Sequence, residues 1–319
     1  MKSHTPSGSR SHREARSHRK ALYLLMSACF IAATAAFSQA AGSTTGKCSF
    51  KALNFPAPAT NGQAAALNDV GGIAGTFVDS KNVSHGFLLF QGKLTTFGFP
   101  HSSGTTVSDM SRNGIIVGGY TSKDGKGHAF MAHAGGFRTI TLPGHPNADI
   151  TVSGVNSNGD VVGNFSTDQR ATFPGFLLHN GKVTILSFPG ADITQPTSIN
   201  DAGVVVGFLS LSVNSNPAFM WKDGVFSNIK PPDSIPEPFV FPSKVSNSGV
   251  VVGSYQPESG GSGFALKDGI YAKFGAPAGF DGPTVLAVNK FDNILIQATQ
   301  ISPQVGKTVS FKGFCAAAF

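Results

Sequence analysis

Asn200-Asp-Ala-Gly203-Val-Val-Val-Gly207 is one of six copies of a single phrase: a polar residue, a Gly three places on, then a short apolar run ending in Gly. The others are Asn68-Asp-Val-Gly71-Gly-Ile-Ala-Gly75, Ser111-Arg-Asn-Gly114-Ile-Ile-Val-Gly118, Asn156-Ser-Asn-Gly159-Asp-Val-Val-Gly163 and Ser246-Asn-Ser-Gly249-Val-Val-Val-Gly253, followed by a decayed Asn289-Lys-Phe-Asp292-Asn-Ile-Leu-Ile296. Their first residues lie 43, 45, 44, 46 and 43 positions apart. A regular period of this size means one supersecondary unit repeated, as in a solenoid, a propeller or an array.

Each period divides into four strand-length segments rich in Val, Ile, Thr and aromatic residues. In the second they are Thr105–Met110, Ile115–Tyr120, His128–Ala132 and Phe137–Leu142. Asn113-Gly114 joins the first two and Gly135-Gly136 the last two, and such x-Gly pairs supply the positive φ that two-residue hairpins require. No period offers a helix-length run with 3.6-residue apolar spacing. The unit is therefore a four-stranded antiparallel meander. Its fourth strand closes on a proline (Pro100, Pro143, Pro189, Pro231, Pro277), which cannot donate to a ladder.

The two ends of the chain decide between a ring and a solenoid. Residues 48–56, Cys48 to Pro56, read as a fourth strand with its terminal proline and no repeat before it. The sixth unit stops after three strands, near Cys315. A solenoid would need dedicated capping repeats, whereas a propeller closes when an N-terminal strand completes its last blade. The expected fold is all-β: a six-bladed β-propeller of four-stranded blades spanning 41–319. Its repeats start near 63, 105, 150, 193, 239 and 283. Cys48 and Cys315 would then lie on adjacent strands of the shared blade, and we expect a disulfide between them in an oxidising compartment.

The first 20 residues hold six Lys/Arg and one acid, an apolar run Ala21–Phe37 follows, and Ser38-Gln39-Ala40 offers an A-x-A-like site. This is the pattern of a secretory signal over 1–40, and it predicts a secreted protein, extracellular or periplasmic, with no stable membrane insertion once the signal is removed. Met26-Ser-Ala-Cys29 resembles a bacterial lipoprotein box, but the apolar stretch runs on beyond Cys29. Of 24 Lys/Arg and 17 Asp/Glu in the whole chain, 18 and 16 remain after residue 40, a net charge of +2. The basic balance thus belongs to the leader, and no basic stripe marks a nucleic-acid surface.

The third segment of each unit opens with His85-Gly-Phe87, His128-Ala-Phe130, Pro174-Gly-Phe176, Pro217-Ala-Phe219 or Ser262-Gly-Phe264. Together with the preceding N-x-x-G-x-[IV]-x-G, this resembles the HAF repeat of bacterial extracellular proteins, over residues from about 50 to 315. The resemblance implies export and a repeat β-fold, and it brings no catalytic residues with it. His stands in only two of the six units.

Candidate chemistry has to come from loops. Connections between second and third strands, and from blade to blade, share one face and vary in length and content, and variable loops on a rigid frame are where binding resides. An acid recurs shortly after the terminal proline (Asp149, Asp192, Asp233, Asp281), with His101 and His145 in neighbouring linkers. These six are the candidate ligand-binding residues. The competing account of the acids is that Asp caps turns through its own backbone. Asn156-Ser-Asn158-Gly159-Asp160 looks like part of a calcium loop but lacks the downstream bidentate acid. No G-x-S-x-G, H-E-x-x-H or phosphate loop is present, and no metal or cofactor is expected. The leading expectation is a monomeric, non-catalytic exported propeller binding a protein or glycan through its variable-loop face. The alternative is a polysaccharide hydrolase or lyase using the loop carboxylates. The proline-rich linker from Pro231 to Pro242 is the expected partner-contacting flap.

Overall fold

Six four-stranded antiparallel sheets follow one another along the chain in a computed structural model. It describes residues 43–45, 47–166, 173–211, 217–230, 239–256, 261–301 and 307–316. The leader over 1–40 with Cys29, the acid Asp233 and most of the Pro231–Pro242 linker lie outside the described residues. Blade 1 is Gln63–Leu67, Ile73–Val78, Ser84–Phe90 and Lys93–Phe97; blade 2 is Gly104–Met110, Ile116–Thr121, Gly127–His133 and Gly136–Thr139. Blade 3 is Asp149–Val155, Val161–Ser166, Gly175–His179 and Lys182–Leu186; blade 4 is Ile193–Ile199, Val205–Ser210, Ala218–Lys222 and Val225–Ile229. Blade 5 is Phe239–Val245, Val251–Gln256, Ser262–Lys267 and Ile270–Phe274. Blade 6 takes Phe280–Val288, Asn293–Gln300 and Thr308–Ala316 from the end of the chain and its outer strand, Lys47–Ala52, from the beginning.

The closing strand pairs antiparallel with Thr308–Ala316, in a register that sets Cys48 opposite Cys315. It ends at Ala52 rather than reaching Pro56, although the Leu53 N–H still donates to the Ser310 carbonyl, and Pro56 opens the turn that follows, its carbonyl accepting the Ala59 N–H. Just before it, Ser43–Thr45 runs parallel to Ile270–Phe274 as a fifth strand on blade 5. Nothing in the repeat foretold this extra strand, since it has no counterpart in the other units.

Apolar side chains collect into six clusters, one at each seam between blades. The cluster at the seam of blades 6 and 1 joins Leu295 and Ala287 to Leu67, Ile73 and Phe87, so hydrophobic burial closes the ring as well as strand pairing. The third-strand aromatics Phe87, Phe130, Phe176, Phe219 and Phe264 are the largest side chains with almost no exposure.

The two glycines of the repeated phrase do different work. The first, at Gly71, Gly114, Gly159, Gly203 and Gly249, has φ between 76° and 85°, the left-handed region that the turn demands. In the decayed sixth copy Asp292 takes the same conformation, with φ 57°. The second, at Gly75, Gly118, Gly163, Gly207 and Gly253, is a matter of space. Each first strand carries a β-bulge, and a Cβ added at the second glycine would run into the carbonyl of Gln63, Thr106, Thr151, Gln195 or Phe241. Across the sheet the same glycine pairs with the buried Phe, for example Gly207 with Phe219 and Gly253 with Phe264. In blade 6, where Ile296 replaces the glycine, the first strand shifts register twice instead of once.

One buried atom has a topological explanation. In blades 1 and 5 the side chains of Thr76 and Ser254 accept the N–H of Val107 and Val285 in the next blade. Asn164 holds the same place in blade 3, but the residue that would donate is Pro196, which has no N–H. Its Oδ1 is accordingly buried without a partner, while its Nδ2 donates to the Thr194 carbonyl at 2.7 Å.

The two classes of glycine predict different penalties. Gly163→Ala forces a backbone collision and should cost about 3 kcal/mol or more. Gly159→Ala meets only the side-chain end of Ile115, at 4.0 Å, and should cost about 1–2 kcal/mol from its positive φ alone. Urea unfolding of the two variants measures the difference.

Candidate functional site

The first residue of the phrase closes its own turn in every copy, and where it is Asn it also reaches the next blade. Asn200 Oδ1 accepts the N–H groups of Ala202 and Val204 at 3.1 and 3.0 Å, closing the turn. Its Nδ2 donates to the carbonyl of Ser246 in blade 5 at 3.1 Å. Asn156 does the same toward Asn200 of blade 4, and Asn289 toward Asn68 of blade 1, across the closure. Where Ser stands instead, at Ser111 and Ser246, the hydroxyl accepts the N–H four residues on (Ile115, Val250). A hydroxyl is too short to carry the second function: Ser111 donates to Asn113 Oδ1 in its own turn, and Ser246 shares a hydrogen bond with the Ser248 hydroxyl. The second residues add an outer ring: Ser157 N–H to Asp201 Oδ1 at 2.7 Å, Asp201 N–H to Asn247 Oδ1 at 2.8 Å, and Lys290 N–H to Asp69 Oδ1 at 2.8 Å.

These turns encircle the mouth of the central channel, and just inside it the axis is bridged. The residue after each first-strand bulge is Ala66, Asp109, Gly154, Ser198, Lys244 or Ala287. Blades 2 and 5 stand opposite each other in a ring of six, and Lys244 Nζ donates to both oxygens of Asp109. Asp109 Oδ2 also accepts the Val155 N–H at 3.0 Å. Both residues are buried, Asp109 at 3% exposure and Lys244 at 9%. Sequence reading overlooked this pair, although the signal was available: aligning the repeats puts opposite charges at one position, three units apart, where the others carry Ala, Gly or Ser.

A pocket of about 40 Å³ opens above the pair, several times the space one enclosed water needs. Its charged lining is Asp69, Arg112, Asp201 and Lys244, set among Asn68, Ser111, Asn156, Asn200, Ser246 and Asn247. Arg112 Nε reaches Asp201 Oδ2 at 3.8 Å. Asp69 Oδ2 is enclosed and unpartnered.

The residues proposed from sequence lie at the other end of the first strands. Asp149 is exposed where blade 3 begins, in register with Ser166. Asp192 is exposed in the linker to blade 4, its N–H bonded to the Ser210 carbonyl. Exposed Asp281 accepts the Gly282 N–H at 2.7 Å. His101 is exposed in a turn at φ 62°, and His145 packs on Phe165 with ring centroids 4.8 Å apart. None of these lines the pocket. Among the described residues, no three His, Cys, Asp or Glu side chains gather closely enough to hold a metal ion.

Other polar residues have local duties. Asp79 accepts the Lys81 and Val83 N–H groups and pairs with His85 at 2.9 Å. The Val83 N–H first, then His85, hold its carboxyl below the usual range. His128 meets Ser122 Oγ at 3.1 Å. Asp160, which made its turn look like part of a calcium loop, is 6% exposed and divides its oxygens between His179 Nδ1 and Asn156 Nδ2. Burial pushes the carboxyl of Asp292 up, against the smaller opposing effects of Lys267 and Ser248.

No family model and no curated protein matches the sequence. Among solved structures, the chain is similar to the β-propeller domain of the trilobed protease from Pyrococcus furiosus, with a TM-score of 0.53 at 9% identity over 85% of this chain and 94% of that one. That propeller is described as having an open velcro topology, whereas here the N-terminal strand closes the last blade. Weaker likenesses include the fucose-specific lectin of Aleuria aurantia (TM-score 0.46, 11% identity, 78% of this chain and 95% of that one). TolB of Acinetobacter baumannii also has a TM-score of 0.46, at 14% identity over 65% of this chain and 51% of that one. The likeness to the protease domain shows the fold, a β-propeller.

Two measurements test the electrostatics. Asp109→Ala strands a buried ammonium and should cost about 3–5 kcal/mol, whereas adding Lys244→Met should recover much of that loss; denaturant unfolding of both variants reads it. Asp292→Asn should stabilise the fold at neutral pH and lose that advantage as the pH falls. A carboxyl whose folded pKa is raised favours the folded state at low pH and weakens it as pH rises through that pKa. Urea unfolding from pH 3 to pH 8 should show the two proteins converging at the acid end.

Proposed function

We propose that this chain is an exported, non-catalytic propeller of the HAF-repeat kind that binds a protein or glycan partner through the face bearing its variable loops. The observation that carries this reading is how the loop-face acids are used. Asp79, Asp124 and Asp281 each accept backbone N–H groups of their own turns. A carboxylate committed to a turn frames a loop, while a general acid or base has to face substrate. The same face exposes Val78, Phe173 and Ile301 at 38%, 43% and 55%, which gives a partner apolar ground on a frame held by six packed seams. The hydrolase or lyase alternative would use two or three of the loop carboxylates, converging from among Asp149, Asp192, Asp233 and Asp281, and no observation favours it.

Export and oxidation belong to the same proposal. The register of Cys48 against Cys315 supports a disulfide locking the closing strand, and the basic leader followed by Ala21–Phe37 supports cleavage after Ala40. Export by a bacterial host, followed by N-terminal sequencing and intact mass, should give a chain starting at Ala41 with the mass deficit of one disulfide. That protein, immobilised and challenged with a glycan array and with secreted proteins of the host, should retain a partner that Phe173→Ser with Ile301→Ser releases. Retention unchanged by that double variant, or turnover of a polysaccharide by the wild type, would refute the reading.

A further inference from the structure

We infer that the hairpin-turn end of the seam between blades 6 and 1 is a docking surface for an anionic phospholipid membrane, a peripheral contact made by the face opposite the variable loops. Side chains alternate across a strand, so the last strand of blade 6 divides its residues between two neighbours. Phe311 packs into the seam with blade 5, whereas Ser310 accepts the Ala64 N–H of blade 1. Lys312 and Phe314 therefore share the blade 1 side with Ser310. On the closing strand Phe50 packs on Phe274 of blade 5, which leaves Ser49 and Lys51 on the blade 1 side. In the ladder Lys51 stands directly opposite Lys312, and Ser49 opposite Phe314. Like charges in that position destabilise a sheet, and neither lysine has an ion pair among the described residues to offset it. Lys312 Nζ reaches across to blade 1, 3.8 Å from where a Cβ on Gly71 would stand.

Apolar residues lead at the same place. Val70 and Phe291 hold the third position of the repeated phrase, the tip of its turn, where blades 2 to 5 carry Asn113, Asn158, Ala202 and Ser248. They are 64% and 57% exposed, and the bond from the Lys290 N–H to Asp69 Oδ1 ties their two turns together. Phe314, 45% exposed, pairs with Asn293 just beyond the blade 6 turn. Lys290 Nζ lies 4.8 Å from the centre of the Phe291 ring. Three lysines here meet two acids, Asp69 and Asp292, and burial disfavours the charged form of Asp292. The order of these groups selects the partner. The turn tips project, and Lys312 is set back two residues from Phe314, up to about 7 Å at the rise of a strand. An interfacial element buries its apolar side about 5–10 Å into the boundary between headgroups and acyl chains. That setback leaves the ammonium groups level with lipid phosphates, where each lysine adds attraction to an anionic surface. Projecting tips form no groove to hold a peptide, but they enter a fluid surface readily.

The test is flotation of residues 41–319, a compact unit by themselves, with vesicles of phosphatidylglycerol and phosphatidylcholine in equal parts, against vesicles of phosphatidylcholine alone. The protein should float with the anionic vesicles and stay behind with the neutral ones. Val70→Ser with Phe291→Ser should weaken binding about tenfold or more, through the apolar area no longer buried. Lys51→Gln with Lys312→Gln should weaken it by a similar factor, through two charges lost near the phosphates. The lysine variant should keep or raise the urea midpoint, since the pair it removes is repulsive, so its loss of binding is not a loss of fold. Phe173→Ser with Ile301→Ser, on the opposite face, should float as the wild type does. Equal binding to both kinds of vesicle, binding to neither, or flotation that survives either pair of substitutions would overturn the inference. Retention on an immobilised acidic peptide by a protein that does not float would overturn it too. Partner capture that depends on Phe173 and Ile301 would stand in any of those cases, so the two readings fail separately.

Discussion

A ring of identical wedges holds together only if each wedge grips the next, and here one asparagine side chain does much of the gripping. The amide group suits the place because it offers an acceptor and a donor on opposite sides of one carbon. Oδ1 faces back into its own turn and satisfies two N–H groups, while Nδ2 faces forward to a carbonyl of the following blade. Each such bond contributes only about 1 kcal/mol. The bond also fixes geometry, because the donor of one turn must meet the acceptor of the next at a set rotation, and six such rotations must add to a full circle. Serine closes the turn and leaves that bridge unmade, and in the Ser111 copy Asn113, two residues on, makes it instead by donating to the Ser157 carbonyl.

The period, the meander and the closing strand were legible because each leaves a local mark. A left-handed turn needs a residue that tolerates positive φ, so Gly71 through Gly249 recur at one offset. The bulge that crowds a carbonyl against the second strand needs a residue without Cβ, so Gly75 through Gly253 recur at another. A missing fourth strand at one end and a spare one at the other are visible by counting. The axial pair of Asp109 and Lys244 left no local mark. It depends on two residues 135 positions apart that meet only once the ring exists. The parallel strand Ser43–Thr45 was hidden for a similar reason, since its partner is the outer edge of another blade.

The pocket at the channel mouth was not legible from the loops. Variable loops draw attention because they differ, and the five described residues chosen from them (Asp149, Asp192, Asp281, His101 and His145) lie on the loop face. The enclosed pocket lies where the sequence is most repetitive, since turns repeated around an axis converge on it, while loops radiate away from it. Repetition also hides small departures. Within the second position of the phrase, the sequence Asp69, Arg112, Ser157, Asp201, Asn247, Lys290 looks like permissive variation, yet four of those residues line the mouth, and Asp69, Arg112 and Asp201 carry its charge with Lys244.

The sixth blade shows what the repeat tolerates and why its decay falls there. Asp292 occupies a glycine's conformation, and Asp is among the few residues that visit it at modest cost. Ile296 puts a side chain where, in the other five blades, a first-strand carbonyl crowds a glycine, and a second register shift in the first strand accompanies it. Both departures lie in the one blade assembled from two distant pieces of chain. Its outer strand is Lys47–Ala52, tied to Thr308–Ala316 by pairing alone rather than by a hairpin. Within a continuous blade, a misplaced second strand shifts the third through a short connection and the fourth through a two-residue turn. In the composite blade the last of those links is cut, and the outer strand is held to the third by its ladder alone. The motif departs from its pattern in the one blade that the chain assembles from two separate pieces.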